Sequence, residues 1–110
     1  ILYNSEYITD VSDNNLVELS EFKLQQNYPN PFNPRTKISW QSPVNGWQTL
    51  KVFDVLGKEV ATLVDEYRPA GSYEIEFNPI SSIKNLASGI YFYQLRAGDF
   101  IETKKMILIK

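Results

Sequence analysis

The nearest approach to a catalytic arrangement in this 110-residue sequence is a pair of carboxylates, Glu74 and Glu76. Two positions apart on an extended chain, they face the same side and could mimic the paired acids of general acid–base chemistry. Their strict alternation with Tyr73, Ile75 and Phe77 supports a plainer reading, a strand with one buried and one solvated face. The sequence has no histidine and no cysteine. That removes Ser–His triads, thiol nucleophiles and the usual zinc and transition-metal ligands. A Ser–Lys pair or an all-oxygen calcium site would remain. None of the nine serines sits in a nucleophile elbow. Asp10 and Asp13 lack the dense Asp/Asn/Gly spacing of a calcium loop. The sequence therefore points away from an enzyme and implies no metal or cofactor.

Binding chemistry is equally sparse. Gly57 and Gly71 precede no helix, so they form no phosphate loop. Lys104, Lys105 and Lys110 make the last segment mildly basic. With a net charge of −2 the chain has no broad attraction for nucleic acid or an anionic membrane. The lysines suit a solvated edge strand, where they discourage edge-to-edge pairing. Trp40 and Trp47 are candidates for a sugar-stacking platform. Trp40 fits the core alternation, whereas Trp47 follows a glycine turn and is expected at the surface.

The elements that must position these residues are short strands. With 43% hydrophobic and 14% aromatic residues, the chain can form one core without disulfides. No apolar run approaches the roughly 18 residues of a bilayer span. Ile1-Leu2-Tyr3-Asn4 is no signal peptide, so the chain reads as part of a longer protein with its export signal upstream. Residues 1–21 read as a linker, with a short strand near Leu16–Leu19. Strands are expected at Phe22–Gln26, Thr36–Ser42, Gln48–Val55, Glu59–Val64, Ser72–Asn78, Ile90–Ala97 and Ile101–Ile109. Tyr28–Pro34, with three prolines, is expected to be a rigid extended crossing. Asn78–Ser88 reads as an irregular connection with a helical turn near Ser81–Asn85. The pattern predicts an all-β, immunoglobulin-like antiparallel sandwich of about seven strands. In such folds a tyrosine opening the penultimate strand bonds back to its own corner, and Tyr91 is the candidate, with Tyr93 in the next inward position.

Longer motifs carry a family resemblance. They are Leu24-Gln25-Gln26-Asn27-Tyr28-Pro29-Asn30-Pro31-Phe32-Asn33-Pro34, Val52–Val64, Ala70-Gly71-Ser72-Tyr73, Leu86–Leu95, Ala97-Gly98-Asp99-Phe100 and Thr103–Lys110. In order and spacing over residues 22–110 they resemble the type A family of C-terminal sorting domains of the type IX (Por) secretion system. The longer connection Ile80–Asn85 is the one departure. The resemblance implies a non-catalytic tag at the end of a cargo protein, which reaches the cell surface or medium through the periplasm and the type IX translocon. It also implies removal of the tag by a sortase-like cysteine peptidase, with cleavage within residues 1–21, and anchoring of the cargo. The implied recognition elements are Gly71 and Tyr73, Gly89 and Tyr91 within the Gly89–Leu95 strand, and Lys104, Lys105 and Lys110. The terminal strand would offer its backbone edge for strand addition, and its lysines would meet an acidic receptor groove. The rival reading is an immunoglobulin-like accessory or carbohydrate-binding module of a secreted multidomain protein.

Overall fold

A computed structural model of the chain describes residues 21–79 and 86–110. The strand near Leu16–Leu19 and the helical turn near Ser81–Asn85 lie outside the described residues, as does the linker except for Glu21. Among the described residues seven strands follow one another: β1 (Lys23–Leu24), β2 (Thr36–Ser42), β3 (Gly46–Phe53), β4 (Glu59–Arg68), β5 (Gly71–Phe77), β6 (Gly89–Ala97) and β7 (Phe100–Leu108). They form two antiparallel sheets, β1-β2-β5 and β4-β3-β6-β7. This is the layered arrangement of an immunoglobulin-like sandwich.

Period-two patterning explains the layers. Ile38 and Trp40 from β2 face Leu50 and Val52 from β3, Tyr91, Tyr93 and Leu95 from β6, and Met106 and Leu108 from β7, all buried. The intervening residues point outward and are half-buried or exposed. Trp40 also stacks against Tyr73 at a centroid distance of 5.7 Å. The Arg68 guanidinium covers both rings at 5.7 and 4.9 Å.

The turns follow from side chains. Between β3 and β4, the Asp54 carboxylate accepts the amides of Leu56 and Lys58, each at 2.9 Å. Gly57 completes this turn at φ 84°, a left-handed conformation that a Cβ disfavours. β4 runs on to Arg68, four residues past the expected end at Val64. The polar run Asp65–Arg68 reads as a loop, yet Thr49 pairs with Asp65 and Trp47 with Tyr67, and the Trp47 indole donates to Asp65 at 2.7 Å. An edge strand with a solvated outer row accepts such residues.

The proline segment crosses from one sheet to the other but does not run straight. Tyr28 pairs with Lys37 of β2 and Phe32 with Leu108 of β7, and the chain bends at Pro29–Pro31 and Asn33–Pro34. The bends let side chains between the two bridges reach the last strand.

Candidate recognition surface

The residues implied for recognition fall into three places. Gly71 and Tyr73 lie at the end of the sandwich where Gly46 pairs with Arg68 and Ser42 with Gly71. Gly89 and Tyr91 lie at the opposite end, where Gly89 pairs with Leu108. Lys104 and Lys105 sit midway along β7 on opposite faces, since Lys104 pairs with the buried Tyr93 and Lys105 with the outward Phe92. Lys110 is exposed beside Ser88, whose hydroxyl accepts its amide at 2.9 Å.

Both Gly-x-Tyr motifs build the same device. The Tyr91 hydroxyl donates to the carbonyl of Ala87 at 2.7 Å, four residues back, which is the tyrosine corner expected of it. Tyr73 donates in the same way to Pro69. Each bond fastens the chain as it enters a strand, β5 in one case and β6 in the other. Burial pushes the Tyr91 hydroxyl pKa up, and the nearby Asp54 charge adds to the shift.

The last strand is covered over half its outer edge. Ile107 donates its amide to the Asn30 side chain at 2.9 Å. It accepts the Phe32 amide at 2.9 Å, while Ile109 donates to the Phe32 carbonyl at 2.9 Å. The Gln26 amide donates to the Lys105 carbonyl at 2.8 Å. These partners hold the outward backbone groups from the Lys105 carbonyl to the Ile109 amide, so strand addition there is blocked. The open stretch is Ile101–Thr103, beside a pair of charges on the inward side: Lys104 lies 3.4 Å from Glu102, which also accepts the Leu24 amide at 3.3 Å. Inward charges on an edge strand oppose pairing with another chain.

A buried network anchors the cover. Tyr93, fully buried, accepts the Asn27 amide at 2.8 Å and donates to the Gln25 carbonyl at 2.6 Å. The Asn27 side chain donates to Pro29 at 3.1 Å and to Thr36 at 2.9 Å. Tyr93 is pushed up to about 12 by burial, with the Asn27 bond opposing the rise and the Glu102 charge adding to it. Sequence reasoning placed Tyr93 inward but missed Gln26, Asn27 and Asn30 as the residues that close the edge.

Among the described residues no cluster of three or more acidic, histidine or cysteine side chains could hold a metal. Nor is any helix there long and apolar enough to cross a membrane. Glu74 belongs to an exposed ion pair with Lys37 at 3.8 Å, on the solvated face of β5.

Residues 26–110 match the family described as "Secretion system C-terminal sorting domain". Among solved structures, the crystal structure of dimeric latent PorU from Porphyromonas gingivalis aligns with a TM-score of 0.62 at 19% identity. The alignment covers 80% of this chain but only 9% of that one, so the likeness is to a small part of PorU and is one of fold. No curated protein matches the sequence.

Proposed function

This chain belongs to the secretion-system C-terminal sorting domains, the sorting signals of type IX secretion, and on that premise we propose that it is a tag without catalysis of its own. A domain of this family directs the protein that carries it across the outer membrane to the cell surface or the medium. The finer reading is ours. Residues 1–21 join the tag to an upstream cargo domain in cis, and the translocon reads the tag in its folded form. A sortase-like cysteine peptidase then cuts within the joining segment, and the cargo is anchored at the surface.

The observation that carries this reading is the family match over residues 26–110, which takes in both sheets of the fold. A tag read as a shape needs its turns fixed. We assign that work to Gly71 with Tyr73 and Gly89 with Tyr91, through their two corners. Lys105 and Lys110 are exposed, Lys104 stands at the edge beside Glu102, and an acidic receptor would meet the tag along this strand. The specificity of the tag then lies in its surface, not in a pocket of reacting groups.

The test is a fluorescent protein bearing an export signal at its N-terminus and residues 1–110 at its C-terminus. It is expressed in a bacterium with a working type IX system and in a translocon-null sibling. Fluorescence outside the parent, but only in the periplasm of the mutant, is the expected result. A shortened exported product would report the cut. Periplasmic retention in both strains would overturn the reading.

One observation favours the accessory-module reading as a second role. The end of the sandwich near Gly46 opens into a groove of about 630 Å³, lined by Phe22, Trp47, Gln48, Asp99 and Phe100 among others. Trp47 is 59% exposed at its rim. The buried Gln48 amide accepts from the Trp40 indole at 2.9 Å, and its Nε2 has no partner. The exposed Trp47 indole at the rim of this groove suits stacking against a sugar ring. Glycan-array binding lost on Trp47→Ala would support this role, and an array without signal would remove it.

A further inference from the structure

Strand register sorts the charges of the larger sheet onto separate regions. Thr49 pairs with Arg96 and Arg96 with Ile101, Phe53 pairs with Phe92 and Phe92 with Lys105, and Ile90 pairs with Ile107. Paired residues share a face, and this is the outward one, because Leu50, Leu95 and Met106 from the same strands are buried. From Trp47 to Phe53, from Ile90 to Arg96 and from Ile101 to Ile107, no outward residue is acidic. Lys51, Arg96 and Lys105 are the cations there. Arg96 and Lys105 have no ion-pair partner among the described residues, while Lys51 lies 3.3 Å from Glu59 on β4. Phe53, Phe92, Ile90 and Ile107 form a contiguous apolar cluster at one end of this face. The outward face of β5, on the other sheet, carries Glu74 and Glu76.

We propose that the outward face of β3, β6 and β7 is the docking surface of the tag, and that its partner is a protein of the type IX machinery presenting an apolar patch rimmed by carboxylates. The proposal deepens the sorting reading and rests on it. Two cations left without counter-ions beside an apolar cluster are complementary to such a patch. Packing of these three strands against the same three strands of a second copy would set cations against cations. The texture also favours a protein over a lipid surface. Phe53 and Phe92 lie half-buried along the sheet, and Gln94 is bonded to Thr103 at 3.0 Å in the row beside them. Lipid insertion calls for protruding apolar side chains, whereas an ordered row of mixed groups suits a shape-matched protein face.

The test uses the export fusion described above with the pair Arg96→Glu and Lys105→Glu. The control is the pair Glu74→Lys and Glu76→Lys on the other sheet. Export of the first is expected to fall at least about tenfold, and that of the second to stay within about twofold. Melting of the purified tags checks folding, and the pair Arg96→Ala and Lys105→Ala replaces the reversal if the latter does not fold. Equal export of wild type and the outward-face variant would overturn the proposal. So would binding of the wild-type tag, but not the variant, to vesicles of phosphatidylcholine and phosphatidylglycerol, which would make the partner a lipid. A tag that dimerises in sedimentation through the same residues would assign the face to a second copy and overturn it too. Failure of the wild-type fusion to leave the cell would instead sink the sorting reading beneath it.

Discussion

Replacing Tyr93 with Phe removes one oxygen from the centre of the fold and tests whether the cover on the last strand is anchored as described. The ring would stay packed, because its surroundings contact carbon. Two bonds would go. The Asn27 amide, on a residue only 2% exposed, would lose its acceptor in a place water does not reach. A buried donor left unpaired costs about 1–3 kcal/mol. The Gln25 carbonyl belongs to an exposed residue and can turn to water, so its lost bond costs about 1 kcal/mol or less. Together these give about 2–3 kcal/mol. A domain of this size loses about 4–8 °C in Tm per kcal/mol, so the variant should melt about 10–20 °C below the wild type at neutral pH, followed by circular dichroism. A drop under about 3 °C would refute the reasoning. The same residue predicts an alkaline signature. In the unfolded chain a tyrosine loses its proton near pH 10, whereas in the fold Tyr93 holds it to about 12. Between these values the folded state binds more protons, so stability is full below pH 10 and falls as the pH rises towards 12. The Tyr93→Phe variant should lack this part of the decline, and equal alkaline slopes for both proteins would contradict it.

Phe32→Ala removes a side chain only 1% exposed that packs against Phe77 at a centroid distance of 6.3 Å. It should cost about 3–5 kcal/mol, read as a lowered urea midpoint with an unchanged m-value. Gly57→Ala leaves the neighbourhood sterically free but places a Cβ on a residue at φ 84°. The expected loss is about 1 kcal/mol in chemical denaturation, with Gly57→Asn milder because asparagine tolerates this conformation. Asn30→Ala bares the Ile107 amide at the strand edge. Sedimentation should then show concentration-dependent association absent from the wild type.

The parts of the fold legible in the sequence are those governed by local period. The alternation of β5 and the inward set of β6 follow from two-residue repeats, and Tyr91 was identifiable because its partner Ala87 lies four residues away. The exposure of Trp47 followed from the turn before it. Three features escaped. Asp65–Arg68 is polar enough to pass for a loop, and its strand character depends on Trp47 and Thr49 across the ladder. The corner at Tyr73 was not assigned, although it uses the same four-residue reach as Tyr91. The edge cover depends on Gln26 and Asn30 meeting Lys105 and Ile107, 79 and 77 positions along the chain, and no local pattern encodes such a meeting. The outward rows of β3, β6 and β7 are an intermediate case. Their residues alternate visibly within each strand, but only the register of the three strands brings them onto one surface.

The motifs that mark this family are, in this chain, largely devices for making the shape. The two Gly-x-Tyr motifs build corners. The asparagine- and proline-rich opening ties down the last strand, and Asp54 with Gly57 folds a hairpin. A sequence signature made of corners, caps and turns suits a fold that must hold still, which is what the proposed reading of the tag in its folded form requires. It also separates two kinds of damage. Changes at Tyr73, Tyr91 or Asn27 should lower export in step with lower stability, because they act through the scaffold. The side chains of Arg96 and Lys105 make no hydrogen bond or ion pair among the described residues, so changes there should lower export while the melting temperature holds. Plotting export against melting temperature for both sets distinguishes them. If every variant fell on one line, the outward face would have no role beyond folding. Outward-face variants falling well below that line at native stability would mean that the tag is recognised there.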